Sequence, residues 1–458
     1  MTSPSEELLP STRRSLLHRI ATAQREGRAP SLAAAVRREG RIAWSGGRTG
    51  QEGPFPDADT QYRIGSITKT FTAVLVLRLR DEGLLDLDDQ VEKHLPGTGA
   101  GGATVFQLLG HSAGLGAEAP APWWERTPGT LRPELADVLG ERPQPHPAGH
   151  RFHYSNPGYT LLGSLVEAVR GVSWEEALRR EILEPLGMDR TTYGPVAPYA
   201  EGWAVHPWAD AVVSEPAEDL GLMAPAGQLW STPADLLRFA GFLAEGDDRV
   251  LSAASVREMR TPAAPTEIGG SGYGLGLQIV KTETRTLFGH GGSLPGFVAG
   301  LWFSEQDDVA AVALANATSG LPAGTVAAEL LSIVADAEPR IPEPWSPLPE
   351  VDEELLALTG IWHWGTHTFT LRLTGGRGLE LRPLGGTGRG ASFAPRPDGT
   401  WTGLDDYYAG EILRVVRRDD GSVDHLDLGS FAFTREPYEA GADVPGGLDP
   451  AGWRGTGG

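Results

Sequence analysis

The chain has 458 residues, 40% hydrophobic and 22% charged, which suits a folded protein and argues against a disordered one. Its length exceeds one ordinary domain and predicts about two or three units. A formal net charge of -21 repels phosphate backbones and anionic lipid, arguing against nucleic-acid and membrane-surface binding, and the lack of cysteine removes disulfides, thiolate metal sites and cysteine nucleophiles together.

Residues 1–27 are polar and mixed in charge, with no apolar stretch before a small-residue cleavage site, so a cytoplasmic protein is expected. An amphipathic helix is predicted over 11–26, then strands at 32–36 and 41–44 joined as a hairpin at Glu39-Gly40. From Phe71 to Leu79 the chain is apolar on nearly every face until Gly83, which predicts a core helix whose first turn holds Ser66 and Lys69. Between Leu84 and about Met259, short helices such as 158–170 and 174–183 alternate with Pro- and Gly-rich loops, predicting an all-helical insert. Strands return at 273–280, 284–288, 298–303 and 309–315, and a helix at 324–335 closes the unit. The expected fold class is α/β, one mixed sheet whose edges come from distant parts of the chain. A Pro-rich linker at 339–350 separates this domain, 1–338, from a second one over 351–440. There, runs at 368–373, 379–382, 401, 412–416, 423–428 and 431–434 predict a small antiparallel β-barrel, and the Gly-rich tail 441–458 is expected to be disordered.

Lysine is scarce. Only Lys69, Lys93 and Lys281 occur, and Lys69 stands three residues after Ser66 in Ser66-Ile67-Thr68-Lys69. A guanidinium stays protonated at any working pH, whereas a desolvated ammonium loses its proton and becomes a base, so a site needing a neutral amine keeps lysine. Helical spacing puts Lys69 on the face of Ser66, predicting Ser66 as nucleophile and Lys69 as base. Asparagine is scarcer still, and one of its two positions lies in Tyr154-Ser155-Asn156. Taken as independent frequencies, both patterns coincide by chance in under about 1% of such chains. Tyr154 is read as a proton relay, and Asn156 as a bridge between the lysine and a substrate amide. His290-Gly291-Gly292-Ser293 adds an imidazole and a strand edge without bulk at Gly291 and Gly292, where a substrate backbone can pair. The N–H groups of Ser66 and Ser293 are candidates for an oxyanion hole. Arg435, ending the last predicted strand, is a candidate for reaching a substrate carboxylate.

Rival motifs are weaker. Gly110-His111-Ser112-Ala113-Gly114 fits a nucleophile elbow, but the residues after it cannot start a stable helix. Gly97-Thr98-Gly99-Ala100-Gly101-Gly102 has dinucleotide-binding spacing without a buried strand before it, and His363 and His367 lie in a strand-rich region where a metal site is not expected. No cofactor is expected.

Ser66-Ile67-Thr68-Lys69, Tyr154-Ser155-Asn156 and His290-Gly291-Gly292, in this order, resemble the penicillin-recognising serine hydrolases. That group includes class C beta-lactamases, D-Ala-D-Ala carboxypeptidases and their esterase, D-aminopeptidase and thioesterase relatives. Gly83 to Leu87 and Leu108 to Leu115 are similar to family stretches as well, and the likeness spans about 31–335. It implies the beta-lactamase/transpeptidase-like fold, a mixed antiparallel sheet plus an all-helical subdomain, and likens the second domain to the lipocalin-like appendage of several members. The beta-lactamases and carboxypeptidases of this group usually carry a lysine where this chain has His290, mostly neutral at pH 7, so recognition of a free carboxylate is put in doubt and ester, thioester or amide substrates gain. Lys281-Thr282-Glu283 resembles the lysine version but has Glu where close approach needs Gly. The resemblance, the missing signal and the barrel together favour a thioesterase that releases and macrocyclises a nonribosomal peptide from a peptidyl carrier protein. The alternative is a D-amino-acid-specific peptidase or esterase; a beta-lactamase ranks third and a non-catalytic peptide-binding module last.

Overall fold

Glu39 and Gly40 both adopt positive φ, 49° and 77°, the backbone of a type I′ turn whose twist suits a two-residue hairpin. They join β1 (Ser31–Arg38) to β2 (Arg41–Thr49) in the computed structural model, which describes residues 7–52, 55–100, 102–264, 272–342, 344–386, 388–439 and 443. Five later strands complete the sheet: β3 (Gly272–Tyr273), β4 (Gln278–Lys281), β5 (Thr286–Leu294), β6 (Phe297–Ser304) and β7 (Val309–Ala315). The order is β2-β1-β7-β6-β5-β4-β3, with every pairing antiparallel, so the edges do come from distant parts of the chain.

Side chains alternate across β1. Leu32, Ala34 and Val36 share a cluster with Leu16 and Ile20 of α1 (Pro10–Glu26) and Val326 and Leu330 of α5 (Ala323–Ala337). Ala33 and Ala35 face the opposite way, toward α2 (Thr68–Asp81) and α4 (Pro233–Glu245), whose Phe71 and Phe239 rings stack at 3.7 Å. Buried on all sides, α2 carries the nucleophile region through the middle of the unit.

Two expectations about the insert change. The stretch read as all-helical also holds a short ribbon, Trp203–Val205 with Val212–Ser214, and its Trp230–Ser231 pairs with Tyr62–Arg63 ahead of it; runs of two or three residues leave no periodicity to read. Asn156 and Pro157, just ahead of the helix predicted over 158–170, open α3 (Asn156–Arg170): the Ser155 hydroxyl caps it by accepting the Gly158 N–H at 3.0 Å, and proline suits a first helical turn.

The chain divides into two compact units between Ile341 and Pro342. The second is an eight-stranded antiparallel barrel in sequential order: β8 (Gly360–Trp364), β9 (His367–Leu373), β10 (Leu379–Pro383), β11 (Ala391–Pro395), β12 (Trp401–Gly403), β13 (Ile412–Arg417), β14 (Val423–Leu428) and β15 (Phe431–Phe433). His363 and Thr434 exchange backbone hydrogen bonds of 2.7 and 2.9 Å, closing the first strand onto the end of the last. Trp362, Phe369, Leu381, Phe393, Leu413, Leu426 and Phe433 fill the interior. The expected tail lies almost wholly outside the described residues. Among those residues, no helix is long and apolar enough to cross a membrane.

Candidate active site

Ser66 sits in a tight turn, Gly65–Ile67, that runs straight into α2, so it precedes the α-helix and Lys69 is the second residue within it. Lys69 Nζ lies 3.0 Å from Ser66 Oγ and donates to the Ala226 carbonyl oxygen at 2.7 Å. Ser66 is half-buried, whereas Lys69 is fully buried. Burial lowers the lysine pKa to about 7, with the charges of Glu118 and Glu125 pulling weakly the other way. A neutral amine that donates to a carbonyl keeps its lone pair for the serine proton. The Tyr154 hydroxyl meets the Ser66 hydroxyl, and its ring centre is 5.0 Å from Lys69 Nζ. Burial raises the phenol pKa, so Tyr154 stays protonated.

Asn156 requires a correction. Its amide nitrogen donates to Glu118, 3.0 and 2.9 Å from the two carboxylate oxygens, and not toward Lys69. Glu118 also accepts the Trp124 indole N–H at 2.7 Å, while Glu125 accepts that of Trp123 at 2.8 Å. Two carboxylates thus stand near enough to Lys69 to act on its charge, and burial raises the pKa of Glu125.

His290 is buried and neutral. Its Nδ1 donates to the Gly291 carbonyl oxygen at 2.5 Å, which leaves Nε2 to accept the Tyr273 hydroxyl at 3.0 Å, and burial lowers its pKa to about 3. From His290 to Leu294, β5 runs past the end of its pairing with β4 and presents that edge to the nucleophile turn. A Cβ on Gly292 would come within 2.0 Å of the Ile64 carbonyl oxygen, and one on Gly65 within 2.7 Å of the Ser293 nitrogen. Only bare backbone fits here, which brings Ser293 beside Ser66.

Arg435 has a different task. Its guanidinium lies 4.0 Å above the Trp362 ring and donates to the carbonyl oxygens of Ala357, Thr359 and Ile361, at 2.8, 3.0 and 3.0 Å. These bonds staple the barrel's own ends together and engage the guanidinium within its own unit. Ser112 is buried, and the helix Val105–Leu109 precedes it where an elbow needs a strand. Lys281 is exposed at the end of β4.

The motifs do not point to Glu118, Glu125, Tyr159, Tyr273 or His111. The last lies within the family-like stretch Leu108 to Leu115, which was the one available signal.

A family model described as Beta-lactamase matches residues 17–336, and one described as a domain of unknown function (DUF7586) matches residues 351–435. Beta-lactamase-like protein 2 of Dictyostelium discoideum is 29% identical over 50% of this chain and 44% of its own length. Penicillin-binding protein 4 of Amycolatopsis lactamdurans is 29% identical over 64% of this chain and 81% of its own. Among solved structures, a D-stereospecific amidohydrolase from Streptomyces sp. is similar with a TM-score of 0.59 and 27% identity, covering 72% of this chain and 99% of that one. SurE with D-Leu is similar with a TM-score of 0.57 and 25% identity, covering 93% and 100%. With the model matched over most of the chain and the Ser66–Lys69 pair in place, the chain belongs to the beta-lactamase family of serine hydrolases.

Proposed function

We propose that the protein forms an ester between an acyl donor and Ser66 Oγ, and that this donor carries an amine next to a D-configured residue. The observation that carries the reading is the fully buried Lys69 held 3.0 Å from a half-exposed Ser66, with carboxylates and no charged imidazole around it. Lys69 Nζ takes the serine proton as Oγ attacks the acyl carbonyl, and the N–H groups of Ser66 and Ser293 receive the oxyanion. Tyr154 passes a proton to the leaving group, and water or an amine then attacks the ester with the same groups in reverse.

Glu118 and Glu125 support an ammonium on the donor, since they attract a cation and repel a carboxylate. The D-configuration rests on similarity to the D-stereospecific amidohydrolase and to SurE with D-Leu. With water as acceptor the enzyme is a D-specific amidase, peptidase or esterase. A second reading, a thioesterase that cyclises a nonribosomal peptide through the peptide's own amine, is supported by the neutral His290 and by the barrel that follows the catalytic unit. Beta-lactams rank behind both, because their carboxylate would meet the neutral His290 where relatives hold a lysine cation.

The test uses D- and L-phenylalanine amide and a synthetic peptidyl thioester ending in a D-residue, with intact-mass detection of the Ser66 ester. Cleavage of the D-amide by wild type and not by Ser66→Ala is expected. Cyclic product from the thioester would select the second reading, and no ester on Ser66 with any donor would refute both.

A further inference from the structure

His111 is 1% exposed, has a left-handed φ of 55°, and lies in the middle of the family-like stretch that wraps the Tyr154 segment. Its carbonyl oxygen accepts the His153 N–H at 2.7 Å and its Nδ1 accepts the Ser155 N–H at 3.0 Å, so the residues on either side of Tyr154 are both bound to it. Its ring lies over the Tyr154 ring, centroids 4.1 Å apart and planes 33° apart. We infer that His111 is the positioning residue for Tyr154, fixing the phenol against Ser66 through the two flanking hydrogen bonds and the ring contact.

The tautomer follows from the geometry. Because Ser155 donates to Nδ1, the ring proton sits on Nε2, which has no hydrogen-bond partner among the described residues and lies among the rings of Tyr159 and Tyr273, 5.0 and 4.6 Å away. Burial lowers the pKa of His111 well below that of free histidine, which keeps Nδ1 an acceptor. A left-handed backbone and a buried, unpartnered N–H both cost stability, and filling space needs neither. Such strain persists where the surroundings use it, and here what it holds is Tyr154.

This role rests on Tyr154 acting as the proton relay. Asparagine tests it, since its Oδ1 stands as many bonds from Cα as Nδ1 does and the residue tolerates left-handed φ; glutamine places its acceptor one bond too far. The measurement is kcat and KM for a chromogenic ester, per Ser66 titrated by a fluorophosphonate, with thermal melts alongside. His111→Asn is expected to stay within about 3-fold of wild type, and His111→Gln to lose about 100-fold in kcat with KM little changed, the scale of a small misplacement at the reacting centre. On a Tyr154→Phe background, His111→Gln is expected to cost less than about 3-fold further, because a positioning residue matters only while the group it positions is present. Additive losses, or equal losses in the Asn and Gln variants, would overturn the role while leaving the acyl-enzyme intact. A wild type that forms no ester at all would overturn the relay and this role together.

Discussion

Lys69 is asked to be neutral in a place where its charge would be poorly solvated, and its two fates separate cleanly by experiment. Its folded pKa of about 7 lies below that of the unfolded chain, so the neutral base grows as pH rises. We expect kcat/KM to climb tenfold per pH unit below about 7 and to level above it, read from a pH–rate profile; a flat profile from pH 5 to 8 would contradict Lys69 as base. Lys69→Arg should lose about 100-fold to 10,000-fold in kcat/KM, since a guanidinium cannot give up its proton. Stability responds in a higher pH window. Between the two pKa values the unfolded chain binds the extra proton, so stability rises with pH from about 7 upward, and at neutral pH the buried amine weighs against the fold. Lys69→Met should therefore be inactive yet more stable by on the order of 1 to 2 kcal/mol in denaturant melts at pH 7. Ser66, Lys69 and Tyr154 were legible in the sequence because their chemistry rides on short spacings. Glu118 was not, since its bond to Asn156 crosses 38 residues of glycine- and proline-rich loop, where no periodicity places one side chain against another. Arg435 misled because an arginine after a strand reads alike whether it faces solvent or staples a barrel.

At the level of elements, the site depends on how closely β5 passes the turn before α2. Gly292→Ala puts a methyl 2.0 Å from the Ile64 carbonyl oxygen, far inside contact distance, so the strand must retreat and carry the Ser293 N–H with it. We expect a loss of 100-fold or more in the acylation rate, the cost of one oxyanion donor, with destabilisation of about 1 to 3 kcal/mol. Burst kinetics and a thermal melt check the two parts; an unchanged burst would free Ser293 from the oxyanion hole. The long elements α1, α2, β7 and α5 were readable because a sustained apolar pattern marks them, one-sided in α1 and continuous in α2 and β7. β8 and β11 were missed. In Gly360–Trp364 only Trp362 is buried, and Ala391–Pro395 is small residues and proline around the single Phe393, so the pairing partners define these strands more than their own composition does.

For the whole molecule, each unit has its own hydrophobic core, and calorimetry should not follow a single two-state transition. Trp362→Ala empties the centre of the barrel and removes the ring beneath Arg435. It should lower one transition by about 3 to 5 kcal/mol and leave the other, with Ser66 acylation, unchanged. A shift of both would show that the units unfold together.

The strand order has a consequence for biosynthesis. β7, residues 309–315, lies between β1 and β6, so a nascent chain cannot complete the middle of its sheet until that late segment leaves the ribosome. A polypeptide stalled short of it holds its serine and lysine but lacks the wall that brings them to bear, and it should pass through translation chemically silent.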